Sequence, residues 1–154
     1  MPDYPTFAFE AVQDAVFAAL QAEPLLAGIP GIERKEKELQ NDINAALQQL
    51  KGICYSVPPP LPLRATRGAK IVWFPEAEIS VMLAEQPKLN KFPLNIWRLQ
   101  QIVAVALHNK FFPGVLASNC PLLIAETPFV VMRDETKRVV IVKFTGQFGF
   151  PPNA

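Results

Sequence analysis

Apolar residues recur every three or four positions from Thr6 to Gln21, at Phe9, Val12, Val16, Ala19 and Leu20, the spacing of one helix face. Glu23-Pro24 ends that helix, and Leu25 to Ile32, with Pro30 and two glycines, reads as a connection with room for a short extended piece. The helical spacing returns at Leu39, Ile43, Ala46, Leu47 and Leu50 and predicts a second helix over Glu33–Leu50. Lys51-Gly52 closes it, and Ile53 to Val57 reads as a short strand. The stretch VPPPLPLRATRG then reads as a stiff loop leaving that strand. Ala69–Phe74 and Glu76–Glu85 are extended and broken by Pro75; in the second piece Ile79, Val81 and Leu83 alternate with Ser80, Met82 and Ala84. Phe92-Pro93 leads into a third helix, Leu94–Asn109, whose stripe is Ile96, Leu99, Val103 and Ala106, widened by Ile102 and Leu107. Phe111-Phe112-Pro113-Gly114 stops it. Leu122–Ala125 and Phe129–Met132 are extended on either side of Pro128, Asp134–Lys137 is a turn, and Val139–Phe144 is the returning strand of a hairpin.

The order helix, helix, strands, helix, hairpin partly segregates the two kinds of element. It predicts an α+β fold: a single mostly antiparallel sheet with helices packed on one face. The length of 154 residues fits one domain over 1–154, with helices over 6–50 and the sheet and third helix over 53–148. Half of the chain is hydrophobic and 19% is charged, which is a globular rather than a disordered composition. Sixteen prolines against seven glycines indicate regular elements joined by stiff, shaped loops.

Charge narrows the function classes. A net charge of +1 carries no basic footprint for nucleic acid. No apolar run reaches the ~18 residues that a membrane span needs. The opening MPDYPTFAFE has no basic region followed by an apolar one, so no signal peptide is expected. Cys54 and Cys120 are accordingly expected to be reduced thiols rather than a disulfide.

Candidate chemistry is sparse. His108, the single histidine, lies at the end of the third helix on the side of Arg98 and Gln101. A catalytic histidine needs a nucleophile and an orienting acid, and no nucleophile elbow or cysteine-protease signature surrounds any serine or cysteine. A histidine at that place is expected to meet the exposed helix carbonyls or solvent. One histidine and two distant cysteines make no zinc pattern, and neither glycine-rich phosphate-binding motif is present. Glu33–Lys37 and Arg34–Glu38 at i,i+4 read as a solvated helix face, with a charged contact to a neighbouring subunit as the alternative. The expectation is a protein with no catalytic, cofactor or metal site.

One polar corner stands out. The alternation of 79–84 stops at Glu85-Gln86-Pro87, and Asn90-Lys91 leads toward the third helix. ISVMLAEQPKLNK, then a helix ending VAVALHNKFFPG, then a hairpin whose last strand is VVIVKFTGQF, resembles the small tail-completion, or tail-terminator, proteins of tailed phages and prophages. Many of those carry a strand ending in a Glu-x-Pro-x-x-Asn-basic corner, a helix ending in Leu-His, and a final strand with an aromatic-Thr pair. The matching positions are Glu85, Pro87, Asn90, Lys91, Leu107, His108, Phe144 and Thr145. LQNDINAALQQLKGICYSV also looks like the helix–Gly–Ile–Cys–strand unit of that group, and the pieces together span roughly two-thirds of the chain. The extreme N-terminus and the Pro-rich stretch 58–62 have no counterpart.

The resemblance implies a non-enzymatic virion part, found in the host bacterial cytoplasm during assembly. It implies a homo-oligomeric ring, often hexameric, on the end of the tail tube, with the tube protein and the head–tail connector proteins as partners and no cofactor. Glu85, Pro87, Asn90 and Lys91 are then expected to fix the direction from strand to helix or to touch a ring neighbour. Two other classes stay open: a binding module that uses the Pro-rich loop as an SH3-type ligand, and a small enzyme whose site carries no motif.

Overall fold

The computed structural model of the chain describes residues 8–33, 47, 51–67, 72–133 and 136–150. Helix α1, Ala8–Gln21, buries Val12, Val16 and Leu20, the stripe that the sequence predicts. A 3-10 turn at Pro24–Leu26 follows, and the Glu23 side chain accepts the Leu25 N–H at its start. The connection then contributes a two-residue strand, β1, Gly31–Ile32. The second predicted helix falls outside the described residues except for Glu33, which is not helical, and Leu47, which has helical backbone and is fully buried.

The remaining elements are β2 (Ile53–Ser56), β3 (Leu61–Arg67), β4 (Val72–Glu85), helix α2 (Ile96–Leu107), β5 (Leu123–Arg133) and β6 (Arg138–Phe150). They form one six-stranded sheet in the order β1-β2-β4-β6-β5, with β3 alongside β4. Only β1–β2 is parallel; every other pair is antiparallel, as the α+β expectation requires. β4 is the spine. One side pairs with β6 along almost its whole length, and the other is divided, with β3 against its first half and β2 against its last four residues. The parallel step is tight at Gly31: a Cβ there would lie 2.7 Å from ring atoms of both Phe17 and Tyr55.

Three sequence expectations are corrected. The stretch 61–67, read as part of a stiff loop, is strand β3, with Leu61 opposite Glu78 and Pro62 opposite Ala77. An outer strand tolerates proline because one row of its backbone groups has no partner to lose. The extended pieces separated by Pro75 and by Pro128 are each a single strand. Register shifts between Phe74 and Ala77 on β4, and between Ile124 and Phe129 on β5, absorb the prolines without ending the pairing. α2 is also shorter than predicted, with Asn95 accepting the Arg98 N–H as N-cap.

The alternation along β4 and β6 sorts their residues between two faces. Ile79, Val81, Leu83, Val140, Val142 and Phe144 pack against α1 and α2, together with Leu99, Val103 and Leu107 of α2. Ala106 is less buried than Ala104, so the stripe of α2 is turned slightly from the predicted one. Phe9 of α1 closes the far end on Phe74 and Phe148, the Phe148 ring edge-on at 5.7 Å. On the opposite face Leu47 packs with Ile32, Cys54, Ala84 and Val139.

Candidate functional site

The polar corner lies where β4 ends, β2 begins and α2 is about to start. Lys51 and Gly52 both have positive φ, 63° and 87°, which turns the chain sharply into β2. The Gly52 carbonyl accepts the Gln86 N–H, and the Gln86 carbonyl accepts the N–H groups of Leu89 and Asn90. Turn and strand are thus joined through backbone alone.

Asn90 holds the rest. Its Nδ2 donates to Glu85 Oε2 at 2.7 Å and to the Leu94 carbonyl at 2.9 Å, while its Oδ1 accepts the Phe92 N–H at 2.9 Å. One amide therefore ties the end of β4, its own turn and the residue before the α2 N-cap. Asparagine supplies two donors and an acceptor on a short stem, which neither aspartate nor serine can match.

Glu85 is 2% exposed and faces the helix-covered side of the sheet. A buried carboxylate needs compensation. Asn90 supplies one bond, and Arg138, directly opposite on β6, places Nη1 3.6 Å from Oε1. At that distance the guanidinium balances charge without a hydrogen bond, and Oε1 has no hydrogen-bond partner. Arg138 also lies over the Trp97 ring at 5.6 Å, and Arg133, opposite Arg138 on β5, lies over the same ring at 5.1 Å.

Of the four residues singled out from the sequence, the fold joins Glu85 and Asn90. Pro87 and Lys91 are exposed, and neither enters this hydrogen-bond network. Arg138, Trp97 and Gly52 belong to the corner and were not singled out. Arg138 is 53 residues from Glu85 (138 − 85) and meets it only through hairpin register. A shallow recess beside the corner is lined by Pro87, Phe92, Pro93, Leu94, Asn95, Glu85 and Arg138.

His108 does not turn to the helix carbonyls. Its Nδ1 accepts the Ile124 N–H at 3.0 Å, so it fastens the end of α2 to the beginning of β5. Both cysteines are free thiols. Burial pushes the Cys54 thiol up to about 12 and raises the Tyr55 phenol, while Cys120 is partly exposed with Sγ 3.6 Å from Gln147 Oε1. Among the described residues no group of three or more His, Cys, Asp or Glu could hold a metal ion, and no helix is long and apolar enough to cross a membrane.

The chemistry available to the corner is restraint. Its carboxylate is enclosed, and its amide is committed to bonds that tie the end of β4 to the backbone just before α2. The chain matches no protein-family model and no curated protein.

Proposed function

We propose that the chain is a structural protein of a tailed-phage or prophage virion, a tail-completion protein that assembles as a ring on the tail tube and presents a surface for joining to the head. The observation that supports this reading best is a sheet with unpartnered outer strands. Among the described residues β3 pairs only with β4 and β5 only with β6. Both outer strands carry exposed apolar side chains, Leu61 and Leu63 on β3 and Val131 and Met132 on β5. Open edges with apolar side chains associate readily with other strands, and a head-to-tail contact between two different surfaces of one chain closes into a ring when its rotation allows. The enclosed corner supports the same reading, since it commits polar groups to rigidity.

The test uses tail tubes purified from the virus or prophage whose genome carries this chain. Purified protein is mixed with the tubes and the tips are imaged. Ring-shaped density at one end of each tube, with tubes that no longer elongate, is the expected result. Bare tips and continued growth at high protein concentration would remove the tail-completion reading.

A further inference from the structure

We infer that Arg133, Arg138 and the Trp97 ring form a docking site for a carboxylate side chain, an Asp or Glu presented by an acidic segment of another protein. Neither a ring nor a tail tube is needed for it. Glu85, Arg138 and Arg133 are register partners across β4, β6 and β5. Directly opposite residues point to the same face, so the three side chains form one row on the helix-covered side of the sheet. Trp97, at the start of α2, lies over the row: Arg133 Cζ is 5.1 Å and Arg138 Cζ 5.6 Å from its ring centroid.

The row holds two cations and one anion, and like charges directly opposite one another repel. Glu85 answers Arg138 at 3.6 Å. It is enclosed and stands two strands from Arg133, about 10 Å at ordinary strand spacing. Arg133 is exposed, and among the described residues no carboxylate pairs with it; Lys137 beside Arg138 is not free. One positive charge is therefore left over, the amount that a single carboxylate neutralises. A phosphate ester, at roughly −1.5 to −2, overmatches it. The chain's net charge of +1 adds no wider field for a polyanion. A guanidinium presents its N–H donors in a planar fork, and a carboxylate accepts two of them at once. Arg138 makes no hydrogen bond to Glu85 Oε1, which has no hydrogen-bond partner, so that contact does not use up its donors. The indole holds both arginines in place beforehand, which lowers the side-chain entropy lost on docking. Tryptophan and arginine are also the residues that most often carry the binding energy of protein interfaces.

The test is a titration of the isotope-labelled protein followed by nitrogen–proton spectra. The chain has two tryptophans, and Trp73, on the first half of β4, is the internal control for Trp97. The probes are a capped triglutamate peptide, a capped triglutamine peptide and inorganic phosphate. Triglutamate should shift the Trp97 indole N–H and the Arg133 and Arg138 side-chain N–H signals and leave Trp73 in place. Triglutamine should shift none of them, and added salt should weaken the triglutamate effect. Arg133→Gln should weaken triglutamate binding at least about tenfold, the loss of one charge-assisted pair. Arg133→Lys, which keeps the charge but not the fork, should fall between. A Trp97 signal unmoved by triglutamate, a shift that triglutamine reproduces, or unchanged affinity in Arg133→Gln overturns the site. Tighter binding of phosphate than of triglutamate overturns the assignment to a carboxylate. Asp134 and Glu135 follow Arg133 in the sequence, outside the described residues. Binding that appears only after Asp134→Asn and Glu135→Gln would mean that the chain supplies the anion itself, and overturns the proposal too. Tail tubes play no part in the titration, so bare tube tips would leave its result standing.

Discussion

Gly52 lies directly against the backbone of Asn90: a Cβ at Gly52 would fall 2.5 Å from the Asn90 nitrogen and 2.6 Å from the Leu89 carbonyl carbon. These neighbours are backbone atoms, so no rotamer change relieves the clash, and the positive φ of 87° disfavours any side chain independently. Gly52→Ala should therefore destabilise the protein by more than the ~1 kcal/mol of an unfavourable φ alone. Chemical denaturation measures this, and an unchanged midpoint would show that the turn and the corner are not in contact.

Asn90 makes three hydrogen bonds, and its loss leaves Glu85 buried with Arg138 alone. Asn90→Ala should cost on the order of 1–3 kcal/mol, as for other buried groups stripped of a partner. Asn90→Asp should cost more, because it sets a second carboxylate where the 2.7 Å bond now lies. Its penalty should shrink as the pH falls and the introduced carboxyl takes up a proton. Denaturant midpoints of both variants between pH 3 and pH 8 decide the matter; equal, pH-independent losses would place Asn90 outside the Glu85 site.

Leu99 is fully buried at the centre of the α2 stripe. Leu99→Ala should cost about 2–5 kcal/mol through lost transfer energy and the cavity left behind. Wild-type stability in this variant would mean that α2 presents another face to the sheet.

The α2 stripe was legible because period and burial are local: Ile96, Leu99 and Val103 declare their face by spacing, and all three are buried. The hairpin of β5 and β6 was legible for the same reason. β3 was not, because its prolines give a loop signal, and only its place at the outside of the sheet makes that composition compatible with a strand. Within the corner, Asn90 could be read as a turn residue from its neighbours alone. Arg138 could not be assigned to Glu85, since they meet through pairing register across 53 intervening steps of sequence (138 − 85). The histidine was placed at the right helix end and is exposed, one of the two expectations for it, but its bond to the Ile124 N–H was not legible, because Ile124 reaches it only after the chain has returned through the 111–122 connection.

His108 accepts one exposed hydrogen bond. Water can replace that acceptor, so His108→Ala should lower stability by less than about 1 kcal/mol. Circular dichroism and denaturant titration measure the loss. A collapse of the fold would show that the link between α2 and β5 carries more than one hydrogen bond.

The buried thiol makes the last prediction, one of pH and reactivity together. Cys54 is buried and its pKa rises from 9.0 to about 12 because burial disfavours the thiolate; Tyr55 is raised from 10.0 for the same reason. Between about pH 9 and pH 12 the unfolded chain releases the Cys54 proton while the native chain keeps it. The native state then binds more protons than the unfolded state, so stability must fall as pH rises through this window, and Tyr55 adds to the fall above about pH 10. The contribution is fully present below about pH 9. Cys54→Val, which removes one of the two groups, should flatten the decline between pH 9 and pH 11 relative to wild type. The thiolate is the reacting form, so a thiol reagent at pH 8 should label Cys120 in the native protein and reach Cys54 only on unfolding. Mass spectrometry of labelled peptides reads this directly. Equal labelling of both cysteines in the native protein, or an alkaline slope that Cys54→Val leaves unchanged, would show that Cys54 is not sealed beneath Leu47, Ala84 and Val139.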